Sequence, residues 1–417
     1  MNKATTQSIS PIPIFDTLEQ LHGNRIELAL PDQLKSVSPK FQKDYQLAQT
    51  FLYSYRGSPA TFNSYRRDIE RLLQWTWFFK ETALNQLKRE DIEEFIDFCQ
   101  KPPKTWLGLK NTPRFLEFEG ERMPNPEWRP FVVTVTKKEY KDGKEADIKD
   151  YQLTQSALQS IFAILSSFFN FLIQEDYAEI NPVAQMRQKS KYLRKQQHKQ
   201  IIRRLTELQW GYVIETAELL ADKNPAEHER TLFIMQSLFA MYLRISELSA
   251  SPRWTPQMGD FTKDTDGHWW FTTVGKGNKE RMISVSDDML EALKRYRRAL
   301  GFSPLPAPGD TTPLIMKNKG LGAITSTRMV RKIVQFCFDQ SIHRLREDGF
   351  HEEAESLMSA TVHWLRHTGI SEDVKHRPRE HVRDDAGHSS SAITDRYIDV
   401  EMRARHASAR KKKIKPE

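Results

Sequence analysis

Four short clusters in this sequence carry the residue types needed to stabilise a phosphate while a nucleophile attacks it. Arg244 precedes Glu247 by three residues in the string Tyr242-Leu243-Arg244-Ile245-Ser246-Glu247-Leu248. Lys276 lies in the glycine-rich string Gly275-Lys276-Gly277-Asn278-Lys279-Glu280. His363 and Arg366 stand three apart in His363-Trp364-Leu365-Arg366-His367, so they share a helical face or helix entrance. His388 follows Gly387 and stands nine residues before Tyr397. A guanidinium offers a planar fork of donors to two phosphate oxygens, and an imidazole adds another donor or carries a proton. A tyrosine hydroxyl supplies a nucleophile once cationic surroundings favour its phenolate.

Each cluster alone has a plainer reading. An arginine closing an apolar helix (Leu232, Phe233, Met235, Leu238, Phe239) is often paired to a nearby carboxylate, here Glu247. Lys276 suits a solvated hairpin tip. His363 and His367, four apart, could hold zinc, but no glutamate lies between them in the metalloprotease arrangement and no third ligand is evident. Tyr397, before Ile398-Asp399-Val400, could be a half-buried packing residue. No metal and no cofactor is expected.

The elements that must position these residues are mainly helical. Trp269 to Val274 and Arg281 to Val285 read as two strands joined by the glycine-rich loop, with Lys276 at its tip. Helices are predicted over Asp287 to Leu300, Ser326 to Arg346 and Trp364 to Val374, so the region from Leu205 is mainly α with a small antiparallel sheet. Before it, Gly57-Ser58-Pro59 opens a helix reaching about Phe79, with Phe62, Ile69, Leu72, Leu73 and Trp77 inward and Arg66, Arg67 and Arg71 elsewhere around the turn. A second helix spans Arg89 to Gln100. A third spans Gln155 to Gln174, where Leu158, Ile161, Phe162, Leu165, Phe168, Phe169 and Leu172 repeat at three and four. Residues 1–40 carry four prolines and no periodicity, and read as a mobile arm or irregular cover with little regular structure. The segment 101–150, with six prolines between Pro102 and Pro130, reads as an insertion; Val132 to Val135, followed by the turn signal Lys141-Asp142-Gly143-Lys144, suggests a hairpin there.

Length, 417 residues, fits two globular domains. No uninterrupted apolar run of about 18 residues occurs, and the N-terminus lacks the pattern of a secretory signal, so a cytoplasmic protein with no membrane span is expected. Cys99 and Cys337 stand alone in apolar helical surroundings and read as buried small hydrophobes. The net charge of +8 is unevenly placed. Eight basic residues and no acidic one lie from Arg187 to Arg204, among them Arg187, Lys189, Lys191, Arg194 and Lys195. Seven basic residues face only Glu417 between Met402 and the last residue. Such segments suit the phosphates of a polyanion, because neutralising them releases condensed counterions; two solvated tails are the alternative.

Taken in order, the clusters resemble the tyrosine recombinase, or phage integrase, family. The strings Gly-Lys-Gly-Asn-Lys-Glu-Arg from Gly275, His-Trp-Leu-Arg-His-Thr from His363 and Gly-His-Ser-Ser from Gly387 carry the likeness. The resemblance implies catalytic roles for Arg244, Lys276, His363, Arg366, His388 and Tyr397, with Glu247 supporting. It implies a helical core-binding domain at 41–186 with its insertion, a basic linker at 187–204, a catalytic domain at 205–400 and a basic tail at 401–417. By resemblance, Tyr397 forms a 3′-phosphotyrosyl link, Lys276 protonates the leaving 5′-oxygen, and the protein recombines double-stranded DNA sites as a DNA-bridged homotetramer, with a directionality factor as a candidate partner. Integration or excision of a mobile element fits the long chain. Arg66, Arg187, Lys189, Lys191, Arg194, Lys195, Lys279 and Arg281 are candidate DNA contacts. The family usually has Thr-Gly before the first arginine, where this chain has Tyr242-Leu243, and the Gly-x-Asp punctuation after Arg366 is missing. A type IB topoisomerase-like relaxing enzyme and a catalytically silent DNA-binding regulator are the rival readings.

Overall fold

The computed structural model describes residues 10–23, 41–187, 203–275, 278–318, 321–388, 390–394 and 410, and the chain divides into two compact units, Met1–His198 and Lys199–Glu417. Tyr397, Lys276, Lys189, Lys191, Arg194, Lys195 and almost all of the basic tail lie outside the described residues.

In the first unit the described helices are α1 (Leu18–Gly23), α2 (Gln42–Ser54), α3 (Pro59–Trp75), α4 (Arg89–Gln100), α5 (Lys137–Lys141), α6 (Gln155–Gln174) and α7 (Pro182–Arg187). Pro59 opens α3 with its ring-fixed φ, and the Thr154 hydroxyl caps α6 by accepting from the Ala157 N–H at 3.2 Å. The inward stripe of α6 has the spacing that the sequence indicates, and Leu165, Phe168, Phe169 and Leu172 are fully buried. By length and composition α6 is apolar enough to cross a membrane; in this fold eight of its residues are buried. The aromatic content of the unit is spent on its core, where Phe51 lies within 5.1–5.7 Å of the rings of Tyr55, Tyr65, Phe168 and Phe171.

Of the two readings of the N-terminal stretch, cover describes residues 10–23, where Ile14 and Phe15 enter the hydrophobic core and their amides donate to the buried Glu70 carboxylate. Two other expectations need correction. Arg66 and Arg71 are buried. Arg66 donates to the Asp16 carbonyl and, at 2.8 Å, to Asn63 Oδ1, while Arg71 donates to the Pro130 carbonyl and lies 4.3 Å above the Phe131 ring. The Arg66 guanidinium is therefore used in tying the N-terminal segment to α3 and is not displayed as a surface phosphate ligand. In the 101–150 segment, Phe131–Val132 (β4) pairs in parallel with Leu107–Gly108 (β1), and the hairpin is formed instead by β2 (Phe115–Phe118) and β3 (Glu121–Pro124) around the left-handed Glu119 and Gly120. The Lys141–Lys144 turn ends α5.

The second unit contains α8 (Glu207–Lys223), α9 (Pro225–Ala240), a three-stranded antiparallel sheet of β5 (Phe261–Lys263), β6 (Trp269–Val274) and β7 (Glu280–Ser284), then α10 (Asp287–Ala299), α11 (Thr327–Glu347), α12 (His351–Leu357), α13 (Val362–Asp373), α14 (Arg379–Ala386) and α15 (Ser391–Thr394). The strand register sets Val274 opposite Glu280, with the described Gly275, Asn278 and Lys279 between the two strands. Thr206, Ser286 and Ser326 cap α8, α10 and α11 through their hydroxyls. Helices α9 and α13 approach closely because residue 369 has no side chain: a Cβ there would collide with the Phe239 carbonyl oxygen. Cys99 and Cys337 are both free and buried.

Candidate active site

Helix α9 ends at Ala240, and the chain reverses through Tyr242, whose φ of +50° is in the left-handed region. A side chain there costs on the order of 1 kcal/mol relative to glycine. Arg244 is extended (φ −78°, ψ 148°) and leads into a single 3₁₀ turn, Ile245–Glu247. That turn swings the Glu247 carboxylate back beneath Arg244. It is 1% exposed and accepts from the Arg244 backbone N–H at 2.7 Å and from Arg244 Nη1 at 2.8 Å. From the sheet, Arg281 adds a bidentate grip, Nη1 to Oε1 at 2.8 Å and Nη2 to Oε2 at 2.9 Å. One buried carboxylate thus aligns two guanidinium groups. The Arg281 side chain is 9% exposed, and burial lowers its pKa despite Glu247; the Arg244 side chain is 30% exposed.

The hairpin loop begins at this ion cluster. A Cβ on Gly275 would lie 3.2 Å from Glu247 Oε1 and 3.3 Å from Arg244 Nη1, so the loop's first residue rests on the pair. Lys276 is the next residue in sequence and lies outside the described residues; Lys279 is described and exposed.

The first two turns of α13 supply His363, Arg366 and His367. Arg366 is 3% exposed, and its two terminal nitrogens donate to the carbonyls of Tyr242 and Ala386, the latter at 2.6 Å. The His363 and His367 rings meet edge to face with centroids 4.2 Å apart. Helix α14 closes on Gly387, left-handed at φ +63°, where a Cβ would stand 2.8 Å from Arg281 Cδ. Both the backbone angle and the contact favour glycine at this position. The Gly387 carbonyl lies 3.5 Å from Arg244 Nη2, and the next residue, His388, places its Nδ1 2.9 Å from Thr394 Oγ1.

Arg244, Glu247, His363, Arg366 and His388 are therefore gathered in one place, within a single unit, from three separate segments of chain. Arg281, a candidate DNA contact on sequence, is part of this cluster. His367, weighed only as half of a metal pair, also belongs to it. For Arg281 the signal was present, since strand alternation puts it on the same face as the fully buried Ile283.

The electrostatics follow from so many cations beside partly buried imidazoles. Burial first, then the charges of Arg366 and Arg244, lower the pKa of His363. The same kinds of cause bring His388 to about 4, with Arg281 a further contributor. His367 is brought to about 4 by burial, then by His363, Arg366 and His388. The lowered values of His367 and His388 favour neutral imidazoles at pH 7. Because the unfolded chain protonates His367 and His388 near 6.5 and the folded chain resists until about 4, the unfolded state binds more protons between those values, and stability falls as pH falls. The melting temperature should drop across this window more steeply than in a His388→Gln variant; equal slopes would remove His388 from the balance.

No family model matches the chain. Over 168 residues it is 23% identical to the tyrosine recombinase XerC of Chlorobaculum parvum, covering 38% of this chain and 47% of that protein. Over 151 residues it is 28% identical to the tyrosine recombinase XerC of Pediococcus pentosaceus, covering 36% and 44%. The chain thus matches just under half the length of these relatives. Among solved structures it is similar to the XerH site-specific recombinase bound to a palindromic difH substrate in a post-cleavage complex, with a TM-score of 0.52 at 14% identity over 91% of this chain and 86% of that one. At that identity the likeness is one of fold.

Proposed function

We propose that this chain, which has the fold of the tyrosine recombinases, is a site-specific DNA recombinase that cuts and rejoins strands through a 3′-phosphotyrosyl intermediate on Tyr397. The observation that supports this reading best is the convergence of Arg244 and Arg281 on Glu247 beside Arg366 and His388.

A phosphodiester resists attack because the nucleophile approaches an anion and the leaving oxygen departs with charge. Arg244 and Arg366 hold the non-bridging oxygens and stabilise the pentacovalent transition state, where charge develops. His363 and His388, whose surroundings disfavour the imidazolium form, donate to the phosphate or accept the tyrosine proton. Tyr397, whose ordinary pKa is about 10, attacks as phenolate, and Lys276 protonates the departing 5′-oxygen. The phosphorus–oxygen bond to the 5′-carbon side breaks as the bond to tyrosine forms. A second strand's 5′-hydroxyl then reverses the step, so exchange needs no nucleotide cofactor and no metal. Four such chains on two DNA sites would exchange two pairs of strands, for integration or excision of a mobile element. The basic stretch 187–204 and the exposed Lys279 supply phosphate contacts.

The test is covalent capture. Nicked duplexes drawn from the sequences flanking the gene are incubated with the protein and resolved under denaturing conditions, and the adduct is digested for mass spectrometry. A nucleotide-bearing peptide at Tyr397 is the expected result. Tight binding with no adduct at any nick position would favour a silent DNA-binding protein, and site-independent relaxation of supercoiled plasmid would favour a topoisomerase-like enzyme.

A further inference from the structure

Tyr242 is a residue with an unusual placement for its type. A left-handed backbone is ordinarily supplied by glycine, yet here it is taken by a large side chain that is almost completely buried. The consequence of that backbone angle is the direction of the Tyr242 carbonyl, which accepts from Arg366 Nη1. Arg366 is pressed against this carbonyl because Gly369, three residues on and therefore on the same face of α13, allows α13 to lie against the end of α9; a Cβ on Gly369 would also be 3.2 Å from the Tyr242 ring.

Two features hold the tyrosine there. Its ring forms a small apolar cluster with Ile370, Val382 and Ala386, separate from the main core of the unit and shared by α13 and α14. Its hydroxyl donates to Asp373 Oδ2 and accepts from Arg377 Nη1 at 3.0 Å. Arg377 continues the network, reaching Asp373 Oδ2 at 2.9 Å, Asp385 Oδ2 at 2.6 Å and the Ser284 hydroxyl at 2.9 Å. Ser284 is at the end of β7, the strand that carries Arg281. The tyrosine hydroxyl therefore joins a polar frame linking the three elements, β7, α13 and α14, that present Arg281, Arg366 and the turn to His388.

We propose that Tyr242 is a positioning residue for Arg366: its anchored hydroxyl fixes a left-handed backbone whose carbonyl sets the guanidinium at the scissile phosphate. The inference rests on the site reading given under Proposed function. It requires no contact between Tyr242 and DNA, since the residue acts through its carbonyl alone.

The test uses the full chain and the nicked duplexes described above. Tyr242→Phe keeps the ring and removes the hydroxyl. It should slow single-turnover adduct formation about tenfold, the scale of one lost orienting contact, while duplex Kd stays within about twofold. In an Arg366→Lys background the same change should add little, because both substitutions remove one arrangement. Asp373→Asn, which retains an acceptor oxygen for the hydroxyl, should give a smaller loss. An unchanged rate for Tyr242→Phe would overturn the inference. So would a tenfold loss repeated in full in the Arg366→Lys background, which is how a general structural defect behaves. If the unsubstituted chain forms no adduct on any duplex, the site reading itself fails, an outcome distinct from either of these.

Discussion

On the proposed function, Arg244→Ala should slow adduct formation on nicked DNA by about 10³-fold, the upper range for losing one preorganised donor to a developing anion, and should leave the fold standing. The separation of these two effects is a matter of geometry. Arg244 is the more open of the two guanidiniums on Glu247, with its side chain 30% exposed, and it takes only one oxygen of that carboxylate through Nη1. When it is removed, Arg281 still holds both oxygens of Glu247 at 2.8 and 2.9 Å, so no buried charge is left without a partner. Arg244→Lys should recover only a small part of the rate, since an ammonium is a point charge without the fork that spans two phosphate oxygens. Single-turnover adduct formation on a nicked duplex, measured beside thermal unfolding, decides the matter. A cleavage rate for Arg244→Ala equal to that of the unsubstituted chain would mean the phosphate is held elsewhere.

Glu247→Ala has the opposite signature. It should cost about 3–5 kcal/mol of stability, the range for removing one partner of a buried ion pair, and cleavage should fall with it. Two guanidiniums now face each other without the carboxylate between them, one of them on a side chain only 9% exposed, and the Arg244 backbone N–H loses its acceptor. Glu247→Gln should lie between, because its amide oxygen can accept while its amide nitrogen meets donors. Chemical denaturation of the three proteins at pH 7 gives the order directly. If Glu247→Ala unfolds at the same denaturant concentration as the unsubstituted chain, the carboxylate is not the keystone that its contacts indicate.

The sequence carries parts of this arrangement very unequally. The long helix α6 and the strands β6 and β7 are legible because their periods, near four and two, are enforced by burial on one face. Strand β5 is only Phe261–Lys263, too short to show an alternation, and the hairpin of Phe115–Pro124 is mostly exposed, so no hydrophobic pattern marks it. Arg66 and Arg71 lie off the apolar stripe of α3, but Asp16 and Pro130, 50 and 59 residues away in sequence, come to cover them. No local reading of α3 contains that information. The motif residues Arg244, Glu247, His363, Arg366 and His388 stand out by type and spacing, Arg281 is marked only by strand alternation with the buried Ile283, and His367 is set into the cluster by packing. The Tyr242 departure from the usual Thr-Gly is visible in sequence, yet its compensation by Asp373 and Arg377 depends on residues more than 130 positions later.

The wide spacing of these partners has a consequence in time. Tyr242 and Arg366 are separated by 124 positions, Arg244 and Gly387 by 143, and the Leu205 amide and its acceptor Thr368 by 163. Ribosomes add roughly 5–20 residues per second, so Arg244 emerges about 7–30 s before the turn that completes its surroundings. During that interval the early arginine has neither Arg366 nor His388 beside it. The cluster is therefore completed late in synthesis, once α13 and α14 have emerged and can pack against the end of α9.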